Sequence, residues 1–170
     1  MINKDHLLET ALRECDICVH LHGKLPAGSL DYKPGENQRS TLELLQYLSI
    51  CGFASAEAMV NGSWQNYESH AKKAEQLSAD DFPAAMEEQK NKLKSLFAEI
   101  TNEDLSTKTA TVPWGQKLPL GQALIEILVK FLTAYRMQLF LYAKAAGNDE
   151  LWTPNCWVGM DRDKNAKPAG

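Results

Sequence analysis

The chain reads as an all-α protein: one four-helix-bundle domain over residues 1–170, with long crossover loops and a C-terminal tail packed back onto it. Four stretches repeat apolar residues at spacings of three and four, the period of a single helix face. The sequence Ser40-Thr41-Leu42-Glu43 is a helix-start box in mid-chain, in which the serine hydroxyl and the glutamate carboxylate satisfy each other's backbone N–H groups. Two connections of about ten residues or more separate the stretches, the length that crossovers in a bundle need.

The first helix spans about residues 4–23, where Leu8, Leu12, Cys15 and Val19, with Leu7, Ala11 and Cys18, make one broad stripe. Pro26, Gly28, Pro34 and Gly35 then break the chain into a loop. The second helix, about 40–61, carries Leu44, Leu45, Leu48, Cys51 and Met59 and stops near Asn61-Gly62. Residues 63–77 are polar and weakly periodic, a loop with one or two helical turns. Ser78 to Pro83 starts a third helix, about 80–100, with acidic residues at the positive end of its dipole and Phe82, Met86, Leu93, Leu96, Phe97 and Ile100 on one face. Residues 101–118 read as a threonine-rich loop, although Thr107 to Val112 has the composition of a short extended segment.

The fourth helix, about 120–146, is the longest, and Gly147-Asn148 ends it. Its apolar residues run nearly all the way round, which a bundle helix exposed on one side does not need. The helix is therefore central, or its second face meets another subunit. The tail, 148–170, holds Trp152, Cys156, Trp157 and Met160, too much apolar surface to leave in water. It is expected to pack across the bundle or onto a partner, with Arg162 to Gly170 frayed.

An apolar fraction of 44% and a charged fraction of 24% are those of a chain that folds on a core. A net charge of −4, with lysine and arginine scattered, gives no basic stripe to neutralise phosphates and so no nucleic-acid footprint. The apolar run Ala123 to Tyr135 is interrupted by Glu126 and Lys130 and is too short to span a bilayer. The N-terminus enters a helix directly, without an apolar leader, so a cytoplasmic location and four reduced cysteines (Cys15, Cys18, Cys51 and Cys156) are expected.

Two segments add a family resemblance. Ser40-Thr41-Leu42-Glu43-Leu44-Leu45-Gln46-Tyr47-Leu48 and Ala134-Tyr135-Arg136-Met137-Gln138-Leu139-Phe140 resemble signature helices of the DinB-like superfamily. This is the bundle family related to bacillithiol- and mycothiol-dependent transferases, not the DNA polymerase of the same name. The family patterns are S-x-x-E-L-L-x-H-L and H-x-x-x-H-R-x-Q-L, and their three histidines hold one divalent metal. The resemblance covers residues 4–147 as architecture, rests on 40–48 and 131–140 as motifs, and implies an up-down-down-up bundle. The positions matching the histidines are Tyr47, Phe131 and Tyr135. Phenylalanine cannot coordinate, and a phenol with a pKa of about 10 is a poor ligand at neutral pH. No metal and no cofactor are expected.

The three aromatics either plug the former metal cavity, each phenol then needing a hydrogen-bond partner, or line a residual small-molecule pocket. Arg136 and Gln138 match family positions beside a histidine and read as a hydrogen-bonding pair that holds the helix against the bundle. Trp114, in the turn before the fourth helix, reads as a loop anchor, with a lid over the open bundle end as its functional alternative. Cys15-x-x-Cys18-x-His20-x-His22 resembles a zinc knuckle only as text. On a helix His20 points away from the other three, and Cys15 and His22 lie about 10 Å apart along the axis at ~1.5 Å per residue. His6 and His70 have no partner implied by spacing, and the Glu87–Lys94 charges read as a solvated face. The expected function is a non-catalytic, homodimeric bundle of unassigned role, joined through helix 120–146 and the aromatic tail. A thiol-transferase-type enzyme with a rearranged site and a small-molecule binding module are the alternatives.

Overall fold

Capping chemistry starts both N-terminal helices. In the computed structural model, which describes residues 3–163, the Asn3 side chain accepts the His6 N–H at 2.9 Å and opens α1 (Lys4–His22). Ser40 and Glu43 form their reciprocal box at 3.1 and 2.6 Å and open α2 (Thr41–Asn61), which Gly62 ends at φ +68. A short helix, α3 (Tyr67–Ala74), crosses α2, and Pro83 lies in the first turn of α4 (Phe82–Ala98).

The threonine-rich stretch has more structure than its sequence reading as a loop. After the single turn α5 (Asp104–Thr107), β1 (Thr109–Thr111) pairs antiparallel with β2 (Lys117–Pro119), Ala110 facing Leu118. Ala110 and Leu118 are buried while their strand neighbours are exposed, so two small apolar anchors pin a hairpin too short to show any period. Gly115, at φ +86, closes its turn by donating to the Val112 carbonyl at 2.8 Å.

The last long rod is continuous but not uniform: α6 (Leu120–Leu124), a π-helical turn Ile125–Val129, and α7 (Lys130–Ala145). The helical periodicity gave no warning of the π turn, which admits one extra residue and re-aims every side chain beyond it. The tail forms α8 (Thr153–Val158), seated on α1 and α7. Of the segment expected to fray, Arg162 to Gly170, residues 164–170 lie outside the described part of the chain.

The core lies among the four long elements. α1 and α2 each pack against both α4 and α7. Lys4, at the start of α1, donates to the Phe97 and Ile100 carbonyls at the end of α4, where a cation also meets the negative end of the helix dipole. At the far end of α1 the His22 ring lies 5.3 Å from the Phe82 ring that begins α4. Tyr142, near the end of α7, donates to the Arg39 carbonyl just before α2 at 3.0 Å, and Asn148 beyond α7 donates to the Lys24 carbonyl beyond α1 at 2.7 Å. No helix among the described residues is long and apolar enough to cross a membrane.

One polar side chain is built into this core. Gln89 of α4 accepts the backbone N–H groups of Gly52 and Phe53, both at 2.9 Å, and returns its amide to the Leu48 carbonyl at 3.0 Å. A Cβ on Gly52 would stand 3.0 Å from the Gln89 Oε1 and 3.1 Å from a Leu132 methyl. The glycine is what lets α4 and α7 approach the α2 backbone so closely. Cys15, Cys18 and Cys51 fill the space around it as free, buried thiols. Burial pushes the Cys15 thiol up to about 12 and raises the other two further, so they remain protonated small apolar groups.

Candidate functional site

Phe131 and Tyr135 lie one turn apart at the start of α7, and Tyr47 lies on the facing side of α2. The fold brings all three together. The Tyr47 and Tyr135 rings meet edge-to-face with centroids 4.6 Å apart, and Phe131 meets Tyr135 at 6.2 Å and 84°. All three are half-buried. The donor set does not suit a transition metal, which takes imidazole, thiolate or carboxylate ligands at about 2.0–2.3 Å. Among the described residues no group of three or more His, Cys, Asp or Glu is placed to hold a metal ion.

Two residues at this site had no signal in the sequence. Arg39, just before the Ser40 cap, lays its guanidinium over the Tyr47 ring at 4.1 Å and reaches Tyr135 at 5.6 Å. Tyr67 comes from α3, in the polar stretch without periodicity, and stands beside Tyr47. Desolvation, reinforced by Cys51 and Tyr67, pushes the Tyr47 phenol well above its ordinary range, and Tyr67 is raised by burial too. These hydroxyls stay protonated at any physiological pH and are hydrogen-bonding groups, not bases. Beside them Arg39, Glu43, Gln46, Tyr47, Tyr67 and Glu75 line a half-open groove of about 500 Å³.

Arg136 and Gln138 take separate partners rather than each other. Arg136 is 1% exposed: its Nε donates to the Glu14 carboxylate of α1, and its Nη1 donates to the Cys156 carbonyl and lies 3.2 Å from the Cys156 Sγ. It ties α1, α7 and α8 together. Gln138 donates to the Tyr142 hydroxyl, which in turn donates to the Arg39 carbonyl and so fixes the approach to the α2 cap. Trp114 is at the hairpin tip and 59% exposed, which does not match the loop-anchor reading. Trp64 meets the hairpin instead, its indole N–H 3.4 Å from the Thr111 carbonyl.

The fourth rod buries most of its excess apolar surface inside one chain, because it faces α1, α2 and α8 together. Leu141 nevertheless remains 54% exposed on α7, and Trp157 and Met160 of the tail are 58% and 61% exposed.

Fold and site together define a helical bundle in which Tyr47 of α2 and Phe131 and Tyr135 of α7 form an aromatic cluster between the two helices. Among solved structures it is similar to a DinB-like protein, YjoA, from Bacillus subtilis, with a TM-score of 0.67 and 20% identity over 86% of this chain and 96% of that one. The likeness is one of fold, and it agrees with the resemblance carried by residues 40–48 and 131–140. No family model and no curated protein matches the chain.

Proposed function

We propose that the chain is a cytoplasmic, non-catalytic DinB-type bundle, its long rods running up-down-down-up, that acts as a homodimer without a metal. The observation that carries the loss of metal chemistry is the 4.6 Å edge-to-face contact of Tyr47 and Tyr135 at the facing ligand positions. What supports the dimer is the apolar surface of Leu141, Trp157 and Met160, left uncovered on α7 and the tail. Light scattering at micromolar concentration is expected to return the mass of two chains, and Leu141→Glu with Trp157→Glu to return one. A wild-type monomer under those conditions removes the dimer from this reading.

A second reading is favoured by the groove beside Tyr47. Arg39 presents a guanidinium already oriented by an aromatic face, and the phenols of Tyr47 and Tyr67 supply further donors. This suits a small aromatic carboxylate. Benzoate titrated into labelled protein is expected to shift the NMR signals of Arg39, Tyr47 and Tyr67, and Arg39→Ala to abolish those shifts. Unchanged spectra at saturating benzoate, or shifts that survive Arg39→Ala, count against it.

A further inference from the structure

The contact between α8 and α1 contains a histidine whose protonation state is decided by its neighbours. Asn155 of α8 is buried, and its Oδ1 accepts the Trp152 N–H at 3.0 Å, starting that helix. The Nδ2 must then face the other two partners: Asp161 Oδ1 at 3.0 Å and His20 Nε2 at 3.0 Å. Turning the amide over would aim its oxygen at the Asp161 carboxylate and strip the cap from Trp152. The amide orientation is therefore determined, and His20 Nε2 faces a donor. It can only accept, so His20 is the neutral imidazole with its proton on Nδ1.

We propose that His20 and Asn155 form an acid-released latch holding the C-terminal segment, residues 151–163, against α1. Protonating Nε2 sets an N–H against an N–H across a 3.0 Å contact, and the amide has no alternative pose. Gly159, at φ +66, ends α8 in a left-handed turn beside Ile17 and His20 of α1, a conformation that favours glycine.

The charged groups around the imidazole divide by element. Lys24, just beyond α1, disfavours a second cation, and it already holds Asp161 at 2.7 Å. Asp161 of the tail, 3.6 Å from Nε2, favours the imidazolium but is largely in water and is shared with Lys24 and Asn155. Glu150, Arg162 and Asp163 line the adjoining hollow with Lys24 and Asp161. From α7, Arg136 is committed to Glu14 and Cys156, and Lys144 to the Leu151 carbonyl. Burial outweighs Asp161 and holds the imidazole below its ordinary value of 6.5, with Lys24 acting in the same direction.

A histidine whose folded-state value is depressed stabilises the latch fully above its unfolded value. That contribution is lost as pH falls below 6.5, and the loss is complete beneath the folded value. Asp161 stays ionised throughout this window, because its bond to Lys24 holds it below the usual carboxylate range. Among the three groups at the contact, only His20 titrates there.

Hydrogen exchange on the full chain, corrected for intrinsic rates at about pH 7.5 and about pH 5, tests the latch. Protection of peptides covering 151–163 is expected to fall by roughly tenfold at the lower pH while those covering α2 keep theirs. His20→Gln keeps an acceptor for Asn155 that does not titrate, and it is expected to abolish the acid response. Equal protection at both pH values in the wild type, or an unchanged acid response in His20→Gln, overturns the proposal. Should the variant not fold, an NMR titration of His20 in the wild type decides: a midpoint above 6.5 means that Asp161 pairs with the imidazolium and the latch does not open in acid.

Discussion

Arg136→Met is expected to lower the stability of the fold by about 3–5 kcal/mol, the usual result of removing one partner of a buried ion pair. For a chain of this length that is a fall of roughly 6–20 °C in thermal midpoint, at ~2–4 °C per kcal/mol. The guanidinium is almost wholly enclosed, and its donors go to Glu14 and to the Cys156 carbonyl and thiol. Methionine fills the volume of the side-chain stem. It leaves the Glu14 carboxylate, with a side chain only 13% exposed, without its cation. Most of the loss is thus the desolvation of an orphaned charge, and the double variant Glu14→Leu with Arg136→Met is expected to recover at least half of it. Urea unfolding of the wild type, Arg136→Met, Glu14→Leu and the double variant closes the cycle. A single-variant shift below about 1 kcal/mol, or a double variant no better than Arg136→Met, would sink this account of the tail clamp.

The second large effect is a gain. Tyr47→His, Phe131→His and Tyr135→His together are expected to give a protein that retains about one equivalent of Zn²⁺ or Ni²⁺ through dialysis, while the wild type holds less than about a tenth of one. Tyr135 already meets Tyr47 across the α2–α7 contact and Phe131 one turn away on α7, so imidazoles at the three positions are expected to converge. Metal at a hundredfold excess over its Kd then stabilises the fold by about 2.7 kcal/mol. Mass spectrometry of metal content reads the first outcome and thermal unfolding with and without metal the second. A folded triple variant that binds nothing means the three positions do not converge. A wild type carrying near one equivalent means that the ligands lie elsewhere and that a metal-dependent enzyme becomes the leading reading.

The legible parts of this chain are those in which neighbours in sequence act on one another. The Ser40–Glu43 box needs only residues three apart, and it is present with both bonds made. The α1 and α4 stripes likewise need only the helical period. The hairpin at 109–119 is too short for alternation to rise above chance, and its pairing depends on where Ala110 and Leu118 can be buried. The π turn at 125–129 leaves no period of its own, because a helix of apolar residues reads alike in either register.

The candidate site divides in the same way. Tyr47, Phe131 and Tyr135 were found because a motif could be laid over them. Arg39 and Tyr67 were not, since neither belongs to a periodic face, and only the folding of a loop and of α3 over α2 carries them to Tyr47. Arg136 and Gln138 were identified as supporting residues, but their partners, Glu14, Cys156 and Tyr142, were out of reach: two of those contacts join residues far apart in the chain.

By itself the sequence determined the four long helical stretches, where two of them begin, and that Tyr47, Phe131 and Tyr135 are side chains that suit no transition metal. Each follows from the chemistry of single residues or from spacings of three and four. Only the tertiary structure decided that the three aromatics touch, that Arg39 covers them, that Gly52 makes room for Gln89, and that His20 meets an amide able only to donate. Those outcomes rest on which elements pack together and at what distance, and a buried polar group has no defined partner until that packing is complete.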